Sequence, residues 1–146
     1  MSSGSLKEIA VVAAVIEKEG KYLITRRSTH AVLPGYWEFP GGKIEGKEKP
    51  QDALQREVHE RLGVTIETGT PLGENHHDYG DYEVTLTLFE AKLKAGTPEA
   101  LGCADFRWVK TEELSDYEFP PADRATTSRL LGLSPAKPEP EGAPGS

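Results

Sequence analysis

The chain has 146 residues, an apolar fraction of 36% and a formal net charge of −7. That length suits one domain with a real core, and acidity without a basic run argues against a nucleic-acid groove. No apolar run approaches the ~20 residues of a membrane span, the N-terminus lacks the basic-then-apolar order of a signal peptide, and the single Cys103 excludes an internal disulfide and suits a reducing cytoplasm.

In chain order, residues 1–5 read as a flexible start. Glu8 to Ile16 is a nearly continuous apolar run, as a strand buried on both faces requires. Lys18-Glu19-Gly20 turns the chain into a second strand, Lys21 to Arg27, and Ser28 to Tyr36 is a loop with Pro34-Gly35. Trp37 to Phe39 leads into a glycine pair, Gly41-Gly42. Val64 to Thr70 is a strand closed by Pro71, and Tyr82 to Leu93 is the strongest strand signal, with Tyr82, Val84, Leu86 and Leu88 alternating against polar residues. Asp105 to Lys110 is a further strand, Thr111 caps a short helical turn, and Ala122 to Leu131 forms a last helix. The Pro- and Glu-rich tail, residues 134–146, is expected to be disordered.

The helix between the glycines and Val64 carries the chemistry. Pro50 suits its first turn and Gly63 its left-handed end, while Ala53, Leu54, Val58 and Leu62 form its buried stripe. Glu57 and Glu60 lie three apart, on a different face, so their carboxylates can converge. Two such carboxylates beside a glycine loop can hold a hard divalent cation against a phosphate chain; a solvated acidic helix face is the plain alternative. Strands either side of one helix, then more strands and a terminal helix, describe an α+β or α/β/α sandwich. His76 and His77 are adjacent on a strand, point to opposite faces and chelate one ion poorly. Cys103 has no His or Cys partner at a ligand spacing and reads as inert.

Gly42, Glu48, Arg56, Glu57, Val58, Glu60, Gly63 and Val64 together resemble the Nudix box, with one departure: Arg61 stands where that family has the second Glu of a pair. The resemblance covers about residues 6–133, and WEFPGG, RWV and FPPAD are similar to the MutT branch. It implies a Nudix-type α/β/α sandwich with a mixed sheet. It also implies a Mg²⁺-dependent hydrolase, with Mn²⁺ as a substitute, that splits modified nucleoside triphosphates into monophosphate and pyrophosphate. Such a protein is expected to be a cytoplasmic monomer or homodimer acting on a free nucleotide, with no nucleic-acid polymer or membrane as partner.

By the same resemblance, Glu57, Glu60 and the Gly41 carbonyl are the metal ligands, and a carboxylate there also serves as general base. Arg56 and Glu48 pair across the loop–helix junction to hold those ligands. Arg26 sits where MutT-like proteins contact the nucleotide. Phe39 and Tyr79 are candidate stacking faces, with core packing as the alternative. Asp123 replaces an Asn that reads purines; as an ionised acceptor it favours base edges bearing N–H groups, and helix capping is its alternative role. Arg61 can weaken metal binding or reach a substrate phosphate. Gly102 stands where many relatives carry a further Glu. Two classes stay open: an enzyme, favoured by Glu57 and Glu60, and a weakened domain that binds nucleotide or a partner without hydrolysing it, favoured by Arg61 and Gly102. A third, the MutT-like domain of a DNA repair glycosylase, is disfavoured because the chain carries no glycosylase part.

Overall fold

The computed structural model describes residues 7–28 and 35–124. The expectations for residues 1–5, for the tail from residue 134 and for most of the last helix lie outside the described residues.

A long first strand, β1 (Lys7–Lys18), is the spine. Val12 through Ile16 are all buried, which is why this segment reads as an unbroken apolar run: side chains alternate between two covered faces. It pairs in parallel with β6 (Tyr82–Ala95), from Lys7 opposite Tyr82 to Ile16 opposite Ala91. It also pairs antiparallel with β4 (Gly41–Lys43) and, near its end, with β2 (Lys21–Arg26). Glu19 and Gly20 join β1 to β2 with φ of 54° and 79°, the two left-handed residues of a hairpin turn that follows strand twist. β2 also pairs with β3 (Trp37–Glu38) and with β7 (Asp105–Lys110), and β5 (Thr65–Asp78) pairs antiparallel with β6. The sheet is therefore mixed, as expected.

The helix α1 (Pro50–Leu62) packs its Ala53, Leu54, Val58 and Leu62 on one face of the sheet, with Val12, Ala14, Ile16, Leu23, Ile66 and Phe89. Pro50 opens it, and Gly63, at φ 71°, closes it by donating its N–H to the His59 carbonyl at 2.8 Å. The opposite face carries Ala13, Val15, Ile24, Leu86, Leu88 and Val109 against Phe39, Leu114 and Phe119. A 3₁₀ helix (Thr111–Asp116) and the helical turn of residues 121–124 cover that side, giving the three layers of the sandwich.

Two local expectations are corrected. β5 does not stop at Pro71 but runs on to Asp78. Proline lacks the ladder donor, and the register shifts on either side of it, between Thr68 and Pro71 and between Pro71 and Gly73, absorb the loss as bulges. Thr111 is the first residue of its 3₁₀ helix rather than its cap; Lys110 precedes it and donates its amide to the Glu113 carboxylate at 2.7 Å.

Candidate active site

β4, the last turn of α1 and the first halves of β1 and β6 enclose a cavity of about 410 Å³ whose lining includes Arg27, Glu38, Gly41, Gly42, Arg61, Tyr79, Tyr82 and Asp123. Both glycines are needed for close approach. A Cβ on Gly41 would overlap the backbone of Val12 and Ala13, and one on Gly42 would overlap the Glu57 carboxylate. Gly42 therefore gives Glu57 its place, immediately behind the cavity wall.

A row of alternating charges runs past that wall. Glu48 grips Arg56 with both oxygens, at 2.6 Å to Nε and 2.9 Å to Nη2, and accepts the Glu45 amide at 2.9 Å. Those bonds, Arg56 first, pull the Glu48 carboxyl from 4.5 to about 2 and raise the Arg56 guanidinium further above its ordinary value. Arg56 also donates to the Lys43 carbonyl at 3.1 Å, to Glu57 Oε2 at 3.2 Å and to Glu60 Oε1 at 3.3 Å. The other Glu57 oxygen, Oε1, accepts from Arg61 Nε at 3.1 Å. Arg61 Nη1 lies 3.6 Å from Glu38 Oε2, and Glu38 Oε1 accepts from Arg27 Nη1 at 2.8 Å. Burial pushes the Glu38 carboxyl up, against the pull of Arg27 and Arg61.

The expected pairing of Arg56 with Glu48 is thus present as a two-bonded fork. Glu57 and Glu60 converge on one nitrogen of Arg56. Glu57 is buried, at the edge of the apolar stripe rather than on a separate face, whereas Glu60 is exposed. Among the described residues no group of three or more His, Cys, Asp and Glu side chains is placed to hold a metal ion. Two converging carboxylates with the main chain of Gly41 and Gly42 alongside do suit one hard cation that arrives with phosphate oxygens. Mg²⁺ is held in that way, since it keeps few protein ligands and borrows the rest.

Asp123 faces the same cavity. Ala122 before it is clipped twice to β5 and its turn: its carbonyl accepts from Asn75 Nδ2 at 3.2 Å and its N–H donates to the Tyr79 hydroxyl at 3.1 Å. Asp123 lies inside the helical turn of residues 121–124, so it is not that helix's cap. Burial first, then the Glu38 carboxylate, push its carboxyl well above the ordinary Asp value. That shift favours the protonated form, which donates one hydrogen bond and accepts another, over the purely accepting carboxylate expected from the sequence.

One further candidate is displaced. Arg26 is exposed, donates to the Gly35 carbonyl at 3.2 Å and lies 6.0 Å from the Trp37 ring centre, outside the cavity. The strand ends there, and its neighbour Arg27 takes the cavity position. Phe39 does line the cavity, but it is only 1% exposed and already stacks on Phe119 at 5.6 Å. Tyr79 does border the cavity, stacked on Tyr82 at 5.2 Å with His77 against its edge, and burial raises its hydroxyl pKa. His76 turns the other way, to Glu83 and Thr85, and burial pushes the Cys103 thiol up. Glu38, Arg27 and Tyr82 were not singled out from the sequence; a lone carboxylate inside the apolar segment Trp37–Phe39 was the one available signal for Glu38.

Residues 11–129 match the family described as the NUDIX domain. The chain is 32% identical, over 133 residues, to a CTP pyrophosphohydrolase of Escherichia coli (strain K12), covering 91% of this chain and 98% of that one. It is 29% identical to an 8-oxo-dGTP diphosphatase of the same organism, covering 88% and 100%. Among solved structures, the E. coli ORF135 protein superposes with a TM-score of 0.75 at 33% identity, covering 93% and 97% of the two chains. The MutT protein from Methanosarcina mazei Go1 gives 0.77 at 27% identity, covering 87% and 95%.

Proposed function

The chain belongs to the NUDIX family and is a hydrolase similar to its MutT members, and from that premise we propose that it cleaves nucleoside triphosphates to the monophosphate and pyrophosphate with Mg²⁺. The observation that supports this reading is the lining of one cavity: the glycine pair Gly41-Gly42 with Glu57 behind it, together with the aromatic pair Tyr79–Tyr82 and Asp123. A triphosphate and a base fit those two kinds of surface.

In this reading Glu57 and Glu60, with the Gly41 carbonyl, hold the ion, and one of the carboxylates takes the proton from the attacking water. The ion, when bound, neutralises phosphoryl charge and makes its water more acidic. Arg56 and Glu48 are positioning residues that fix the Glu57 carboxylate. Arg61 and Arg27 present guanidinium groups to phosphate. Tyr79 and Tyr82 offer the base an apolar face, and Asp123 reads its edge with one donor and one acceptor. Net charge of −7 favours a free nucleotide over a polymer, and the protein is proposed to act as a cytoplasmic monomer or homodimer. Among the described residues no helix is long and apolar enough to cross a membrane.

The relatives' names point to oxidised guanine and to cytosine nucleotides, and Asp123 in its protonated form accommodates either. The test is a panel of 8-oxo-dGTP, dGTP, CTP and a modified dCTP with Mg²⁺ or Mn²⁺, scored for pyrophosphate against phosphate. Pyrophosphate release from at least one member is expected. Phosphate release alone, or no metal dependence, contradicts the reading.

A further inference from the structure

The two departures from the family pattern, Arg61 and Gly102, are in contact. The Arg61 carbonyl accepts the Leu101 and Gly102 amides, each at 3.0 Å, so this loop caps the end of α1 on that residue. A Cβ on Gly102 would stand 3.2 Å from the Arg61 Cα and 3.2 Å from the Glu60 carbonyl oxygen. The bare glycine lets the loop lie flat on the stem of Arg61.

That stem delivers a guanidinium between two carboxylates, at 3.1 Å from Glu57 and 3.6 Å from Glu38. Arg61 lines the cavity and Glu57 does not; the guanidinium stands between the carboxylate and the space where substrate goes. Its charge cannot be titrated away, and it repels a second cation at Glu57. It is also free to leave at low cost. Glu57 keeps Arg56 at 3.2 Å and Glu38 keeps Arg27 at 2.8 Å, so withdrawing Arg61 strands no unpaired buried carboxylate.

We propose that Arg61 is a resident cation of this site: it holds one positive charge at Glu57 in the free protein, keeps a divalent ion out, and transfers to a substrate phosphate when the metal–nucleotide complex enters. This rests on the reading that Glu57 and Glu60 take the ion. Metal and nucleotide then bind together rather than in sequence, and Gly102 is part of the device because it sets the Arg61 stem.

The test is a titration of Mn²⁺ into the full chain, followed by the electron paramagnetic resonance of the free ion. Wild type, Arg61→Gln and Arg61→Lys are each measured alone and with a non-hydrolysable triphosphate analogue. Free Arg61→Gln is expected to bind Mn²⁺ at least about tenfold more tightly than wild type, and Arg61→Lys to stay weak. The analogue should tighten Mn²⁺ more in wild type than in Arg61→Gln. Adding Gly102→Ala should change the free-state affinity in the wild-type background and leave it unchanged with Arg61→Gln. Equal Mn²⁺ affinity of free wild type and Arg61→Gln overturns the resident cation while leaving the metal reading intact. No Mn²⁺ bound by any variant, with or without analogue, overturns the metal reading beneath it.

Discussion

Arg56 and Arg61 sit on the same helix and hold the same carboxylate, Glu57, one oxygen each, yet their surroundings differ. Arg56 is fastened on the outer side by a carboxylate fork at 2.6 and 2.9 Å and by the Lys43 carbonyl. Arg61 faces the cavity, and its two contacts are longer, at 3.1 and 3.6 Å. The outer half joins loop to helix and keeps its partners; the inner half can exchange partners without leaving a bare charge. A positioning clamp and a working cation are thus built from the same residue type, and what separates them is how many short bonds each guanidinium has outside the site.

Three substitutions sharpen or break that division. The largest effect is expected from Gly42→Ala, which pushes its Cβ into the Glu57 carboxylate that both arginines hold. Misplacing a reacting group by about 1 Å can cost roughly a hundredfold, so kcat is expected to fall by about that much while circular dichroism and Tm report an intact fold. Full activity would mean that the position of Glu57 is unimportant.

A smaller effect is expected from Glu48→Gln, which opens the outer fork. Its loss should lower Tm at neutral pH and reduce kcat only a few-fold, since Arg56 keeps Lys43, Glu57 and Glu60. The sign with pH follows from a carboxyl depressed from 4.5 to about 2. Its stabilisation is present above 4.5 and is lost as pH falls through about 2. The Tm difference between wild type and variant should therefore shrink across that interval on acidification; a constant difference would deny the fork its charge.

The smallest change in stability belongs to Asp123→Asn, which keeps shape and fixes the donor-and-acceptor form. Asp123 titrates above its ordinary 3.8 because it is buried and faces Glu38, so its favourable contribution is lost as pH rises through the raised folded value. Asn should gain stability relative to wild type as pH climbs, and its preference among nucleotides should be nearly independent of pH. In wild type, ionisation of Asp123 should shift that preference by about tenfold, the scale of one well-placed base contact. Identical pH profiles for the two proteins would remove Asp123 from base reading.

Much of this arrangement is legible from local pattern. Pro50 and Gly63 bound the helix because each satisfies a main-chain requirement of a helix end, and Glu48, just before the helix, meets Arg56 nearly two turns into it. The inner half is harder to read. Glu38 gains its meaning from Arg61, distant in sequence and joined only when β3 docks beside α1. Arg26 and Arg27 are indistinguishable until the strand is seen to end between them. Phe39 and Tyr82 both line the cavity, but only the first is packed by Phe119, which arrives from far along the chain. The upward shift of the Asp123 carboxyl comes first from burial, which no spacing encodes.

The division stands or falls on Glu57, the carboxylate that both arginines share. The most direct measurement is nucleoside triphosphate hydrolysis by Glu57→Gln beside wild type at saturating Mg²⁺, with thermal unfolding of the same samples. Removing a charge aimed at the reacting phosphates should cost at least about a hundredfold in kcat, in a protein that still unfolds cooperatively. Turnover within a few-fold of wild type would contradict the account and leave the helix acids as a charged surface held by two arginines.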